Sequence, residues 1–258
     1  MEVLAPEDVA KETRGVIVDG LRCYPRAEPL KMFRIFRMKF STLKDAEAEL
    51  KRVRIVVTYL SPGYVAESEE FLVDYDRHGK HEVLLCGLQE YVKGEVLDPW
   101  GPLDKGYLVS LFCDMGFQQG KDFLTMPDRR IHALRERAED FIEKVKQMIM
   151  KANHVPDLAG VGNLILTRSG SIKLVDINNI SRITFDPMIH VDDRGYPVGD
   201  KSIEALSLLE QKLLGRSTPK GDPIYETFLD PVRIKDVRAA EDAFTLSMET
   251  LVSGFGLS

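Results

Sequence analysis

Cysteine is scarce. The 258 residues hold three, Cys23, Cys86 and Cys113, an odd number without CxxC spacing, so neither a disulfide framework nor a thiolate zinc site has a basis. Cys86 sits in an apolar run and reads as a core residue. No apolar run approaches the roughly 20 residues that span a bilayer. Met1 to Pro6 lacks the basic-then-apolar order of a signal peptide. Positive charge is not in excess: 35 Lys and Arg against 41 Asp and Glu leave a net charge of −6. That balance argues against broad nucleic-acid or anionic-membrane binding, though not against a local basic pocket for phosphate. There is no internal repeat and no low-complexity segment. A cytoplasmic protein with neither nucleic acid nor membrane as partner is the expectation.

What is present suits a globular protein. Hydrophobic residues make up 44% and charged residues 29%, enough for one large domain or two lobes of roughly 100 to 150 residues. Val16 to Val18 and Leu30 to Phe40 read as strands, joined through Pro25 and Pro29. Alternation places Arg34 on a face with Phe36 and Met38, with Arg37 and Lys39 opposite. An Arg on an apolar face needs a partner or an anionic ligand. Ser41-Thr42, with Asp45 behind it, predicts a helix start. Leu43, Ala46, Leu50, Val53, Val57 and Leu60 give that helix its apolar stripe, flanked by Glu47 and Glu49, up to Ser61-Pro62-Gly63. Two further strands, Phe71 to Tyr75 and Glu82 to Tyr91, surround Asp76 to Lys80.

Beyond Gln89-Glu90-Tyr91-Val92-Lys93-Gly94 the pattern turns helical. Helices are predicted over residues 105 to 116 and from Pro127 to Met150, the latter burying Ile131, Leu134, Ala138, Phe141, Val145 and Met148. Another runs from Asp200 to Leu214 on Ile203, Leu206, Leu209 and Leu213, with Gly215 as its stop. A last one covers Ile234 to Leu251.

Between these lies the most informative stretch, Asn153 to Asn178. A loop Asp (Asp157) is followed by Asn163, a short apolar strand, Ser169-Gly170, a second apolar strand and Asp176. A hairpin closed by a two-residue turn there opposes Asn163 to Asp176, and directly opposed residues point to one face. An amide oxygen and a carboxylate would then converge, with Asp157 nearby, a donor set suited to magnesium and substrate phosphates.

The order of elements resembles the protein-kinase-like superfamily across nearly the whole chain, as a divergent, bacterial-type member. The resemblance implies a two-lobed α+β fold. Residues 1–94 would form a small antiparallel-sheet lobe with one helix and the hinge, and residues 95–258 a mainly helical lobe. It implies Asp157 as the base or orienter of an accepting hydroxyl, and Asn163 and Asp176 as magnesium ligands. Gln89 takes the gatekeeper place, with backbone groups of Glu90 and Val92 at the adenine of ATP. Arg34, placed before Glu49, fits the phosphate-pairing strand lysine by position, and Lys39 is the fallback; Arg is not an equivalent of Lys. Gly195 to Ile203 is similar to the segment opening the central buried helix, where Asp200 would tether the catalytic loop.

The departures are specific. Val155-Pro156-Asp157 stands where kinases have His-Arg-Asp, with His154 one position out of register. Asp157 and Asn163 are six apart instead of five, and Asp176-Ile177-Asn178 lacks the usual Gly. No GxGxxG precedes residue 30, and no Ala-Pro-Glu follows Asp176. Three readings stay open: a magnesium-dependent phosphotransferase acting on a hydroxyl of a small molecule or protein; a pseudokinase serving as a nucleotide-sensing or protein-binding regulatory module; and a chance hairpin in another α+β arrangement.

Overall fold

The structure, a computed structural model, describes every residue except 78, 117–125, 218–220 and 255–258. It is a mixed α/β chain with antiparallel sheets and, among the described residues, seven helices. Two compact units form, one of Met1–Lys51 and Ala66–Val92, the other of Arg52–Val65 and Lys93–Ser258.

The first unit is built on a four-stranded sheet. β1 (Glu2–Val3), α1 (Pro6–Arg14), β2 (Val16–Val18), β3 (Leu21–Cys23) and β4 (Lys31–Phe40) open the chain, and β5 (Ser68–Arg77) and β6 (Lys80–Glu90) complete the unit. Sheet order is β1-β4-β6-β5, while β2 and β3 pair only with each other. Asp19 and Gly20 join β2 to β3 with φ of 51° and 81°, the double positive-φ step that Asp-Gly supplies in a two-residue hairpin turn. That second strand escapes an apolar-alternation reading because Leu21-Arg22-Cys23 is too short to alternate.

β4 carries an irregularity. Opposite β6 the register runs Arg34 to Gly87 and Ile35 to Cys86, then resumes with Lys39 opposite Leu84. Phe36, within the step, and Phe40, beyond it, are buried, whereas Met38 is exposed. Strict alternation put Met38 with Phe36; the bulge, which adds residues to one strand only, takes it to solvent.

The helix α2 (Leu43–Leu60) begins as expected, with the Asp45 N–H donating to Thr42 Oγ1 (3.3 Å) and Thr42 Oγ1 donating to Asp45 Oδ2 (2.6 Å). Its buried stripe is Ala46, Glu49, Val53, Val56 and Leu60, and Leu43 and Val57 are exposed. The helix is thus rotated relative to the hydropathy pattern, and Glu49 lies inside the stripe instead of beside it.

The second unit is organised by two long helices. α3 (Lys105–Asp114) precedes α4 (Met126–Ala152), and α5 (Val198–Leu214), α6 (Pro223–Phe228) and α7 (Pro231–Gly254) follow. On α4 every residue of the expected face, from Ile131 to Met148, is buried. On α5 Ile203, Leu206, Leu209 and Leu213 are wholly buried, and Gly215 ends the helix at φ 66°, the left-handed cap glycine adopts without a Cβ penalty. α5 also buries polar groups, and each is matched. Glu210 accepts from Tyr225 Oη (2.7 Å) and pairs with Lys146 (2.7 Å); Lys201 pairs with Glu204 and Glu241 at 2.8 and 3.0 Å and faces the Trp100 ring.

Short strands complete this unit: β7 (Gly94–Val96), β8 (His154–Val155), β9 (Leu164–Thr167), β10 (Ile172–Leu174) and β11 (Ser181–Arg182), in sheets ordered β10-β9-β7 and β11-β8. Residues 61–65 are stitched to them, as the Leu174 N–H donates to the Tyr64 carbonyl (2.7 Å) and Tyr64 Oη donates to Asp140 of α4 (2.6 Å). No helix among the described residues is long and apolar enough to cross a membrane.

Candidate functional site

α4 ends at Ala152, and Asn153 takes φ 54° to turn the chain into β8. Arg182 pairs with His154 and Ser181 with Val155, and His154 Nδ1 lies 2.6 Å from the Ala152 carbonyl. That contact ties the start of β8 back to the end of α4. The following loop is held at three backbone points. Asn163 Nδ2 donates to the Asp157 carbonyl (2.9 Å), the Leu158 N–H to Ser202 Oγ (3.1 Å), and Trp100 Nε1–H to the Ala159 carbonyl (2.9 Å).

Asp157 itself is fixed at both oxygens. Oδ1 accepts from the N–H groups of Ala159 and Gly160 at 3.0 and 3.1 Å, and Oδ2 from Asn179 Nδ2 at 3.3 Å. Burial pushes its carboxyl above the ordinary carboxylate range; the three donors oppose the shift, and the charge of Asp176 adds to it. A raised carboxylate pKa means the folded chain binds this proton more tightly than the unfolded chain, so the group costs stability once pH exceeds the folded value. Asp157→Asn is therefore expected to stabilise the protein at pH 7, with an advantage that shrinks as pH falls through the raised pKa. Urea titrations of both proteins at several pH values check this, and Asn179 can turn its amide to meet the new side chain.

The hairpin differs from expectation by one residue. Ile172 faces Leu166, Lys173 faces Ile165 and Leu174 faces Leu164, so Asn163 lies opposite Val175, whose N–H donates to the Asn163 carbonyl (2.9 Å). The connection is a three-residue loop, with the Gly170 N–H bonded to Thr167 O, Thr167 N–H to Ser171 O, and Gly170 at φ 79°. Three-residue hairpins put a left-handed glycine last, and reading Ser169-Gly170 as the whole turn shifted every pair. Asp176 follows the last pairing, its Oδ1 accepting from the Asn178 N–H (2.9 Å).

Asp157, Asn163 and Asp176 belong to one unit, and the two carboxylates lie within each other's field. With Nδ2 of Asn163 spent on the Asp157 carbonyl, its amide oxygen is the atom left to offer. An amide oxygen on Asn163 and a carboxylate on Asp176 are oxygen donors of the kind that magnesium takes. No group of three or more His, Cys, Asp or Glu able to hold a metal occurs among the described residues. Gly160 leaves room for the Asn163 amide: a Cβ there would stand 2.5 Å from Asn163 Nδ2 and 2.9 Å from its Cγ. Gly160→Ala is expected to turn the Asn163 amide away, costing roughly 1–3 kcal/mol by overpacking and weakening any magnesium-dependent ligand at least tenfold. Thermal shifts with and without magnesium nucleotide measure both effects.

The remaining sequence candidates lie in the first unit. Arg34 Nη2 reaches Ser68 Oγ (3.0 Å) and Glu70 Oε1 (3.4 Å), and the guanidinium stands 5.6 Å from the Phe36 ring centroid. An internal carboxylate thus answers the charge on this apolar face. Lys39 pairs with Glu82 in the open (2.9 Å). Glu49 is buried on α2, and Gln89 is buried at the end of β6 with its Nε2 lacking a hydrogen-bond partner among the described residues. The Glu90 N–H donates to the Glu67 carbonyl (2.8 Å), and Val92 follows β6, partly exposed. In the second unit, Asp200 does not hold the Asp157 loop by its carboxylate, which pairs with Arg233 (2.5 Å); Ser202, two residues on, makes the bond to Leu158.

Sequence reasoning passed over Asn179, Ser202 and Trp100. The polar run after Asp176 and the chain's single tryptophan were signals, but none names its partner.

No family model and no curated protein matches the sequence. Among solved structures, the chain is similar to the kinase domain of ROP18 in complex with AMP-PNP and sucrose, at 13% identity, over 86% of this chain and 73% of that one, with a TM-score of 0.34. It is also similar to ROP2 from Toxoplasma gondii, described as a virulence factor with a protein-kinase fold and no enzymatic activity. There the identity is 10%, over 88% of this chain and 76% of that one, with a TM-score of 0.33.

Proposed function

We propose that this chain is a divergent kinase-like phosphotransferase, moving the γ-phosphate of ATP to a hydroxyl of a small molecule or protein. The observation that supports it is the pinned triad of Asp157, Asn163 and Asp176. Asp157, immobilised by the N–H groups of Ala159 and Gly160 and by Asn179, would orient the accepting hydroxyl and receive its proton as the bond to phosphorus forms. Its raised proton affinity favours that acceptance. Asn163 and Asp176 would hold magnesium, which supplies charge neutralisation for the phosphates. Catalysis of this kind rests on positioning and charge, not on covalent participation of the protein. In the first unit the same reading assigns Gln89, Glu90 and Val92 to the adenine. It prefers partly buried Arg34, with Glu49, over exposed Lys39 for the phosphates.

A second reading, a nucleotide-binding pseudokinase, is favoured by one feature. The residues ahead of β4 hold a helix and the isolated β2–β3 hairpin with its Asp19-Gly20 turn, and no glycine-rich loop. Purified chain incubated with magnesium ATP and candidate acceptors, assayed for ADP and phosphorylated product, separates the two. Transfer that disappears in Asp157→Asn supports the enzyme; a nucleotide-induced thermal shift without turnover supports the pseudokinase; neither result sinks both.

A further inference from the structure

Trp100 is joined to the Asp157 carboxylate through a single peptide group, all within the second unit. The indole Nε1–H donates to the Ala159 carbonyl at 2.9 Å, and the Gly160 N–H donates to Asp157 Oδ1 at 3.1 Å. That carbonyl and that N–H are the two polar ends of one peptide. A trans peptide is planar and points its C=O and N–H in opposite directions. A donor fixed at one edge therefore sets the aim of the other. Linked hydrogen bonds also polarise one another, so a carbonyl that accepts from the indole leaves its own peptide N–H the stronger donor to the carboxylate.

The indole is itself held by α5. Lys201 Nζ stands 4.4 Å from the ring centroid and pairs with Glu204 and Glu241 at 2.8 and 3.0 Å. Lys212 Nζ donates to the carbonyls of Pro99, Trp100 and Gly101 at 2.8, 3.3 and 2.9 Å. All three N–H groups of that ammonium are thus spent on the backbone that carries the ring. The Trp100 N–H donates in turn to Asp98 Oδ1 at 3.0 Å. The same helix meets the Asp157 loop directly, where Ser202 accepts from the Leu158 N–H. These contacts fix direction more than they bury area. Trp100 stays partly exposed, and its one polar side-chain atom is the donor given to the loop.

We infer that Trp100 is a positioning residue for Asp157, acting through the Ala159–Gly160 peptide. The inference rests on the reading of Asp157 as the group that orients the accepting hydroxyl. Loss of the indole N–H frees the peptide to turn and weakens the Gly160 bond. That bond favours the ionised carboxylate and is one of the donors that hold the Asp157 proton affinity down. Weakening it raises that affinity and leaves the carboxylate less firmly aimed.

The chain has a single tryptophan, so growth on the benzothiophene analogue of tryptophan replaces this indole alone. The analogue keeps the shape of the ring and removes its N–H; Trp100→Phe removes the N–H with a smaller ring. In full-length chain labelled with ¹³C-aspartate, the Asp157 carboxyl resonance, identified by its absence from Asp157→Asn, is titrated in both. Its proton affinity is expected to rise about threefold to tenfold. Where the native chain transfers phosphate, kcat should fall about tenfold or more in both forms, with the KM for ATP unchanged. A tryptophan that only fills space gives another pattern: a lower Tm in Trp100→Phe, a native Tm with the analogue, and an Asp157 titration that stays put in both. An unmoved titration in the folded analogue protein overturns the inference, whether or not the native chain turns over. A native kcat retained by both forms overturns it as well. A moved titration in a chain that shows no turnover keeps Trp100 as the residue that positions Asp157 and removes the phosphotransferase reading alone.

Discussion

Replacing Arg233 with leucine is expected to cost about 3–5 kcal/mol, the range for breaking a buried pair by removing one partner. The Arg233 and Asp200 side chains are only 6% and 5% exposed, with Nε and Nη2 on the two carboxylate oxygens at 2.5 and 3.2 Å. The same guanidinium donates to the carbonyls of Asp186 (2.6 Å) and Met188 (3.3 Å) and lies 4.4 Å from the Phe228 ring centroid. Leucine can replace the contact with the ring and nothing else. It leaves Asp200 desolvated and strands two carbonyls of the segment that follows β11. For a chain of this size the loss corresponds to a fall of about 10 °C in Tm.

The pH dependence identifies the cause. Burial already pushes the Asp200 carboxyl upward, and Arg233 is the main force holding it down. Without Arg233 the folded-state pKa rises further, and a raised carboxylate costs stability above that value and less below it. The deficit of Arg233→Leu should therefore narrow as pH falls, and Asp200→Asn in the same chain should recover part of it. Arg216→Ala is the contrast. Its pair with Glu139 is about half exposed on both sides, and such pairs contribute about 0–1 kcal/mol. If the two arginine variants unfold at the same urea concentration, the assignment of Asp200–Arg233 as a structural anchor is wrong.

That anchor also shows where sequence reading ends. α4 and α5 were legible because their apolar residues recur at helical spacing on one face, and the structure buries each of those named. α2 was legible as a helix but not in its rotation. Leu43-Ala46-Leu50-Val53-Val57-Leu60 and Ala46-Glu49-Val53-Val56-Leu60 both fit a helical period, and hydropathy counts Glu49 against the stripe that is buried. Order along the chain placed Asp157, Asn163 and Asp176 on a loop and a hairpin, as found. It could not choose between a two-residue and a three-residue turn, and that choice sets which residue Asn163 faces. Partners distant in sequence had no local signal. Nothing near Asp200 announces Arg233, 33 residues on, and nothing near Asp157 announces that Asn179 meets its second oxygen. Periodicity encodes faces; specific polar pairs are encoded only by the finished packing.

Asp176→Asn should remove magnesium-dependent nucleotide stabilisation while leaving the free protein as stable as before or more so. The proposal makes Asp176 a metal ligand. A ligand that binds only the folded chain stabilises it by RT ln(1 + [L]/Kd), about 2.7 kcal/mol at a hundred times Kd. That corresponds to a rise of about 5–10 °C for the native protein. The rise should vanish when EDTA accompanies ATP, and losing one charged oxygen from the site should weaken binding at least tenfold. The free protein behaves differently because Asp176 raises the proton affinity of Asp157 by repulsion; removing the charge relieves that. Asparagine keeps an oxygen to accept the Asn178 N–H that the carboxylate meets at Oδ1, so the turn survives. A structural aspartate would show the opposite pattern, a lower Tm without ligand and an unchanged shift with it. Persistence of the nucleotide shift in both Asp176→Asn and EDTA would remove magnesium from the site and, with it, the phosphotransferase reading in this form.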